Sequence, residues 1–283
     1  MHPIERLRYV ARAEGAGVSA LVEAAARALV GLDDDHAALV TGCRQLVDRH
    51  PEVGPMWWLT SRVLCADDPA REAWEVTQAL EADPTSEVLS RELPEEAVTV
   101  VLGWPEVAAG ALHRRGDLRV RVIDALGEAS QLVDSLARVG VDAVEVPESG
   151  VGAAVADTDL VLLDALAVGP GGALVPAGGR AAAAVARHAG RAVWLTAGQG
   201  RVLPGRLWDA LVGRIEVRGE GWDADEEIVP LDLVDVVVGP WGRGAPAELM
   251  AHTDCPIAAE LFKGVFAPGT HRRAVGRGRR GWR

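Results

Sequence analysis

The first third of the chain has apolar residues at helical spacing throughout. One helical face carries Leu21, Val22, Ala25 and Leu29. Asp33 to Asp35 supplies capping side chains before the next apolar segment. Asp68-Pro69 marks a helix start, because an aspartate accepts the free N–H groups of a helix end and a proline needs no acceptor there. Asp83-Pro84 marks another break in the helical pattern. The pattern from Ile4 to about Leu93 predicts four or five helices and no strand.

Beyond Pro94 the pattern changes to that of short buried strands. Six runs are apolar and rich in β-branched residues: Val98–Leu102, Leu118–Ile123, Ala143–Val146, Leu160–Leu163, Ala192–Leu195 and Val234–Val238. Helical or turn segments separate them, which is typical of a parallel sheet covered on both faces by helices. We therefore predict an α/β protein with an N-terminal helical domain (1–93), a Rossmann-like parallel-sheet domain (94–264) and an Arg/Gly-rich tail (265–283).

One predicted strand, a glycine-rich loop and an alanine-rich helix lie together in residues 158–190, TDLVLLDALAVGPGGALVPAGGRAAAAVARHAG. Glycines let a backbone turn sharply and leave its N–H groups uncovered, and the helix predicted from near Arg180 points its positive end at this loop. A phosphate or carboxylate site is one interpretation, and tight turns between packed elements are the other. The absence of G-x-G-x-x-G and of the P-loop pattern from this stretch argues against those two nucleotide folds there.

Parallel sheets bind ligands beyond the carboxyl ends of their strands, so the residues that follow each strand are candidates. The candidate catalytic residues are the acids after the second, third and fourth strands, Asp124, Glu148 and Asp164. Carboxylates that share a cleft raise the pKa of at least one of them, as a general acid requires. Alternatively, each acid caps the following helix. The predicted ligand-binding residues are Gly103, Trp104, Gly171, Gly172, Gly178, Gly179 and Arg180.

The distribution of charge along the chain limits which binding partners the protein can have. A net charge of −12 argues against a protein that coats nucleic acid. The last thirteen residues, HRRAVGRGRRGWR, reverse this balance with six arginines, and such a composition predicts disorder. Contact of this tail with RNA and contact with the chain's own acidic body both stay open. No apolar segment approaches the roughly 20 residues that cross a bilayer, and charges stand where a signal peptide is apolar, which predicts a cytoplasmic protein.

The cysteines and histidines form no metal-binding pattern, so we expect neither a metal nor a cofactor. The three cysteines have no C-x-x-C spacing and are expected to be buried thiols: Cys43, Cys65 and Cys255. The tryptophans of the helical part are expected to anchor its core: Trp57, Trp58 and Trp74.

The order of elements resembles a known superfamily. A helical domain followed by VTVVLGWPEVAAGAL, RVRVIDALGE, the stretch 158–190 and EEIVPLDLVDVVVGPWG is similar to the alpha, beta and delta subunits of translation initiation factor 2B, over about residues 1 to 250. The same superfamily contains the methylthioribose-1-phosphate and ribose-1,5-bisphosphate isomerases. The resemblance implies a NagB/RpiA/CoA transferase-like fold, a small phosphorylated ligand and association through the α/β domain.

Several positions depart from the isomerase pattern that the resemblance implies. Leu166 stands where the isomerases carry their catalytic aspartate, and GWPEV stands where their reactive cysteine would follow the first strand. The other departures are Pro176-Ala177 for Asn-Lys, Gly179-Arg180 for Gly-Thr, and Leu126-Gly127 for Arg-Pro. A leucine cannot transfer a proton, so these departures argue against isomerase chemistry.

The favoured function is a non-catalytic protein, similar to initiation factor 2B, that binds a phosphosugar or nucleotide in a regulatory or assembly role. The alternative is an aldose–ketose isomerase in which two of the three acids take and return a proton. A nicotinamide oxidoreductase has only the sheet in its favour. A homo-oligomer is expected because Trp241 stands beside a predicted surface loop, although Trp241 closing the monomer's own core is the other interpretation.

Overall fold

A computed structural model describes residues 17–32, 34–216 and 221–262. Its N-terminal part consists of the helices α1 (Val18–Val30), α2 (His36–Arg49), α3 (Gly54–Cys65), α4 (Pro69–Glu81) and α5 (Thr85–Glu92). Asp35 accepts a hydrogen bond from the Ala38 N–H and Asp68 accepts one from the Arg71 N–H, so both cap their helices as predicted. No strand occurs in the described residues before Val98, which confirms the helical prediction there.

The α/β part contains a seven-stranded sheet. Its strands are β1 (Val98–Leu102), β2 (Arg119–Ile123), β3 (Asp142–Val146), β4 (Leu160–Asp164), β7 (Ala192–Thr196), β9 (Val236–Gly239) and β10 (Gly242–Gly244). They lie in the order β10-β9-β7-β4-β1-β2-β3, and all neighbours are parallel except β9 and β10. This sheet confirms the α/β class and contains all six predicted strands.

The helices of this part are α6 (Glu106–Leu112), α7 (Ala129–Arg138), α8 (Val151–Ala156), α9 (Gly179–Ala189) and α10 (Gly205–Glu216). One face of the sheet packs on α8 and α9, and the other packs on α5, α6 and α7. A third apolar cluster joins α1 to α4 with α10 and the 3₁₀ turn Ala259–Phe262. Apolar contacts therefore continue across residue 93, and the predicted domain boundary stays a prediction.

The prediction of a glycine-rich loop is wrong for residues 167–176, because these residues form a β-hairpin. Strands β5 (Ala167–Gly169) and β6 (Gly172–Pro176) pair with β8 (Glu226–Val229) in a separate antiparallel sheet. A Cβ atom added at Gly169 would lie 2.3 Å from Cγ of Trp208, and one added at Gly172 would lie 2.8 Å from the Val229 oxygen. These two glycines are needed because α10 and β8 lie directly against the hairpin.

Some predictions of burial are confirmed and others are wrong. Trp57 and Trp58 are fully buried, but 63% of Trp74 is exposed, because α4 turns Ala73 and Val76 inward instead. The expectation of three buried thiols fails at Cys65, which is exposed, whereas Cys43 and Cys255 are buried. Burial raises the pKa of the Cys255 thiol to about 12.

No helix in the described ranges is long and apolar enough to span a membrane. The predicted tail, 265–283, lies outside the described residues.

Candidate functional site

The strand order reverses beside β1, and this is where parallel sheets leave a crevice for ligands. From β1 the chain proceeds through β2 to β3 in one direction, and through β4, β7 and β9 in the other. We call the loops beyond the carboxyl ends of these strands the carboxyl edge. All three candidate acids follow strands that end at this edge.

Asp164 ends β4 and is almost completely buried, with 6% of its surface exposed. Its Oδ2 accepts a hydrogen bond of 2.9 Å from the Val107 N–H at the start of α6, and its Oδ1 accepts one from the Thr196 hydroxyl. Both carboxylate oxygens are thus engaged within the protein. The position of Asp164 fits the capping interpretation, because one of the donors is a free N–H of a helix start.

Asp124 and Glu148 do not share a site with Asp164. Oδ1 of Asp124 accepts a 3.2 Å hydrogen bond from the Ala129 N–H, the first residue of α7. Strand β1 lies between β4 and β2, so the backbones at Asp164 and Asp124 are about 10 Å apart at the usual strand spacing. Glu148 is exposed in a single 3₁₀ turn beyond β3, one strand farther away. The structure does not bring the three acids together.

The glycine pair at the start of α9 does lie at the carboxyl edge. Gly178 has a φ of +90°, and a Cβ atom added there would lie 3.2 Å from Cδ2 of Leu102, at the end of β1. The Arg180 N–H donates a 2.9 Å hydrogen bond to Oε1 of Glu227, a residue of β8. A carboxylate of the chain itself therefore stands at the positive end of α9, where a bound anion was predicted.

The remaining predicted ligand residues divide between two places. Gly171 and Gly172 belong to the β5–β6 hairpin and pack against Trp208 and β8. Gly103 follows β1, where its N–H donates to the Ile123 oxygen over 2.9 Å. The next N–H, of Trp104, donates to Oε2 of Glu128 over 3.1 Å, which ties the loop after β1 to the loop after β2.

The carboxyl edge contains a pocket that the sequence did not predict. It has a volume of about 190 Å³ and lies beyond β7 and β9. Its lining consists of Gly198, Gln199, Gly200, Val202, Pro240, Trp241, His252 and Asp254. Two glycines directly after a predicted strand were a usable signal for part of this lining. No sequence signal identified His252 and Asp254, because only the folding of the C-terminal segment brings them to the pocket.

The pocket wall is held by polar contacts and by stacked rings. The Gln199 side chain donates to Oδ2 of Asp254 over 3.3 Å. The rings of Trp241 and His252 are parallel, with centroids 4.4 Å apart. A Cβ atom added at Gly200 would lie 2.5 Å from Cε3 of Trp58, so this buried tryptophan packs directly against the lining residue Gly200. Trp241 is half-buried in this stack, and the oligomer prediction stays a prediction.

An ion pair between buried Arg201 and half-buried Glu106 connects the carboxyl edge to the N-terminal helices. Arg201 is buried, and its Nη2 donates a 3.0 Å hydrogen bond to Oε2 of Glu106, while its Nη1 donates to the Ala165 oxygen. The other Glu106 oxygen accepts a 3.4 Å hydrogen bond from the Ser19 N–H at the start of α1. The side chains of this pair occupy space between the sheet and α1. In the described parts of the chain, no group of three or more His, Cys, Asp or Glu residues is placed to hold a metal ion.

Neither a protein-family model nor a curated protein matches the chain. Solved structures do resemble it. Translation initiation factor eIF-2B from Pyrococcus horikoshii OT3 superposes with a TM-score of 0.73 at 13% identity, covering 87% of this chain and 98% of that one. eIF2B beta from Chaetomium thermophilum gives 0.66 at 18% identity and 87% of each chain. A tetrameric eIF2B-beta2-delta2 complex from C. thermophilum gives 0.66 at 18% identity, with 88% and 92% covered. The chain therefore has the fold of translation initiation factor 2B subunits, as the resemblance in its sequence implied.

Proposed function

We propose that this chain is a non-catalytic protein with an initiation-factor-2B-like fold that acts as a subunit of an assembly. We further propose that it binds a small phosphorylated molecule in the pocket beyond β7 and β9. The observation that carries the first part is the engagement of Asp164, whose two oxygens accept hydrogen bonds from Val107 and Thr196. Because Asp164 is buried and both of its oxygens accept hydrogen bonds within the protein, its carboxylate is not presented to a substrate.

The surroundings of Leu166 argue in the same direction. The Leu166 N–H donates to the Leu174 oxygen over 2.8 Å, and the Leu166 oxygen accepts from the Gly54 N–H over 3.1 Å. This position joins the small sheet to α3 through its backbone and packs its side chain among the N-terminal helices. Isomerisation needs one group to take a proton and another to return it, and the separated acids of the carboxyl edge do not form such a pair.

The chemistry of the pocket favours a compact polar ligand. Its volume of about 190 Å³ is below the roughly 300 Å³ at which drug-sized pockets begin, so it suits a monosaccharide phosphate better than a nucleotide. Gly198, Gly200 and the ring of His252 belong to the part of the lining that a phosphate would contact. The carboxylate of Asp254 would repel a phosphate. Arg62 offsets this negative charge, since Nη1 of Arg62 lies 3.6 Å from Oδ2 of Asp254.

The assembly part of the proposal is supported by a solved relative in fold, the tetrameric eIF2B-beta2-delta2 complex. We expect this chain to form a homo-oligomer. Sedimentation at micromolar concentration would then give a mass of at least two chains. A mass of about one chain at that concentration would contradict the oligomer.

The ligand is tested by thermal unfolding with millimolar phosphosugars and nucleotides. A ligand present at about 100 times its Kd adds about 2.7 kcal/mol to the free energy of unfolding, which raises the melting temperature by several degrees. We expect a monosaccharide phosphate to do this for the wild type and for His188→Ala, which changes an exposed histidine of α9. His252→Ala should lose the shift. A wild type that no such compound stabilises would refute the ligand.

Catalysis is tested separately with methylthioribose 1-phosphate and ribose 1,5-bisphosphate. Loss of each proton-transfer group costs roughly 10² to 10⁴ in rate, so we expect no turnover of either compound. Conversion at about one turnover per second, the low end of ordinary enzyme rates, would overturn the non-catalytic part of the proposal.

A further inference from the structure

Large apolar side chains stand in solvent on the half of the carboxyl edge away from the pocket. The exposed fraction is 40% for Trp104, 57% for Leu126 and 84% for Trp222. Carboxylates on the same loops alternate with them. We call this surface the tryptophan rim, and it consists of Trp104, Leu126, Glu128, Trp222, Asp223 and Asp225.

Backbone contacts place these loops side by side. The Asp225 oxygen accepts a 2.8 Å hydrogen bond from the Ala177 N–H, which joins the loop of Trp222 to the loop before α9. The next residue, Gly178, approaches Leu102 at the end of β1. From there the hydrogen bond of the Trp104 N–H to Glu128 leads to the loop of Leu126. The tryptophan rim is thus a continuous row of adjoining loops.

The charge of this surface is negative. The acids on its loops and on the adjoining start of β8 are Asp124, Glu128, Asp223, Asp225, Glu226 and Glu227. Among the described residues of the same loops, the basic side chain is that of Arg180. A nucleic acid would be repelled by this surface, because its phosphates need a basic face. Exposed indole rings among carboxylates instead suit guanidinium groups, which stack on aromatic faces and pair with carboxylates.

The chain itself contains a segment with this chemistry. Residues 271–283, HRRAVGRGRRGWR, have six arginines and no acid. The structure describes the chain to Phe262, and the preceding oxygen, of Leu261, accepts a 3.2 Å hydrogen bond from Arg214, near the end of α10. Trp222 follows Arg214 by eight residues, which is at most about 29 Å of extended chain. Residues 263–283 have a maximum reach of about 70 Å, so the arginines can reach the tryptophan rim.

We propose that the tryptophan rim binds the arginine-rich residues 271–283 of the same molecule. Arginines stack on Trp222 and Trp104 and pair with Asp223, Asp225 and Glu128. The bound segment covers the exposed apolar groups of the tryptophan rim.

Hydroxyl-radical footprinting of the intact chain tests this contact, with oxidation of each tryptophan measured by mass spectrometry. The comparison is between the wild type and a full-length variant in which the six arginines of residues 271–283 are changed to Gln. We expect Trp222 to be oxidised about threefold faster in the variant, because each exposed cation–π pair is worth a factor of two to five. Trp74, which is exposed on α4, is the matched control and should not change.

Two further measurements distinguish the occupants. Adding about 1 M salt to the wild type should expose Trp222 as the variant does, because ion pairs at a surface are screened. Because the chain is expected to be an oligomer at micromolar concentration, isotope-labelled wild type is co-refolded with an excess of the unlabelled Gln variant; unchanged protection of the labelled Trp222 supports binding within one molecule, whereas protection lost in the mixture would assign the rim to the tail of a second copy and overturn the proposal. Equal oxidation of Trp222 in wild type and variant would also overturn it.

Discussion

The two halves of the carboxyl edge use the same kinds of residue in opposite ways. Beyond β1, β2 and β4, glycines and carboxylates are tied to neighbouring backbone, as Asp164 is to α6 and Glu227 is to α9. Beyond β7 and β9, Gly198 and Gly200 leave a pocket of about 190 Å³ next to His252 and Asp254. The first half is closed by its own polar groups, and the second half is open.

This difference teaches that a glycine-rich strand end is not in itself a binding site. Polar groups have partners in both halves, including Gln199 and Asp254 beside the pocket; the difference is that Glu227 occupies the start of α9, whereas Gly198 and Gly200 line open space. The stretch 158–190 has the stronger sequence pattern, yet a chain carboxylate stands at the start of its helix. The short Gly198–Gly200 segment has the weaker pattern and lines the pocket.

The largest effect is expected from a substitution at Gly178, in the half of the carboxyl edge beyond β1, β2 and β4. Gly178→Val places a β-branched residue at φ +90° against Leu102, and left-handed strain with overpacking should lower the free energy of unfolding by about 3 kcal/mol. Gly190→Val is the matched control, since Gly190 ends the same helix at φ +67° with open space around it. We expect about 1 to 2 kcal/mol there. Equal losses by urea unfolding would remove the packing role of Gly178.

The second prediction compares the stability effect of Asp164, which caps α6, with that of the exposed Glu148. Asp164→Ala leaves the Val107 N–H and the Thr196 hydroxyl without this partner, so we expect a loss of about 2 kcal/mol. Glu148→Ala, at an exposed position, should change the free energy of unfolding by less than about 0.5 kcal/mol. A variant Asp164→Ala that is as stable as the wild type in chemical denaturation would contradict the capping role.

The smallest effect is expected at the start of α9, where Glu227 accepts the hydrogen bond of the Arg180 N–H. Glu227→Gln removes the negative charge next to the Arg180 N–H, and we expect a loss of about 0.5 to 1 kcal/mol that shrinks at high salt. Glu145→Gln, an exposed change on β3, serves as control with no expected loss. If Glu227→Gln is instead neutral at low salt by thermal unfolding, the carboxylate does not stabilise the helix.

The sequence was sufficient for the main sheet and insufficient for the small one. Runs such as Leu160–Leu163 are buried on both faces and apolar throughout, so their composition reveals them. Strands β5 and β6 lie between glycines and prolines that are typical of loops, and β8 begins with two acids. Their pairing depends on contacts with Trp208 and with residues 50 positions away, which no local pattern contains.

The candidate site shows the same limit. The position of the acids at strand ends could be predicted, because parallel strands end at one edge. Their partners could not, because the donors to Asp164 come from α6 and β7. Trp74 was predicted to be buried from its residue type alone, but the helical face that contacts the core is set by Ala73 and Val76.

The small sheet also has a consequence for the order in which the chain folds. Strands β5 and β6 pair locally, but β8, which completes their sheet, follows β6 by about 50 residues that include α9, β7 and α10. A two-stranded hairpin is only marginally stable alone, and contacts between distant segments form slowly. The charge that Glu227 supplies to α9 therefore arrives late in folding, so residues 167–189 gain their full stability only after residues 226–229 have joined them.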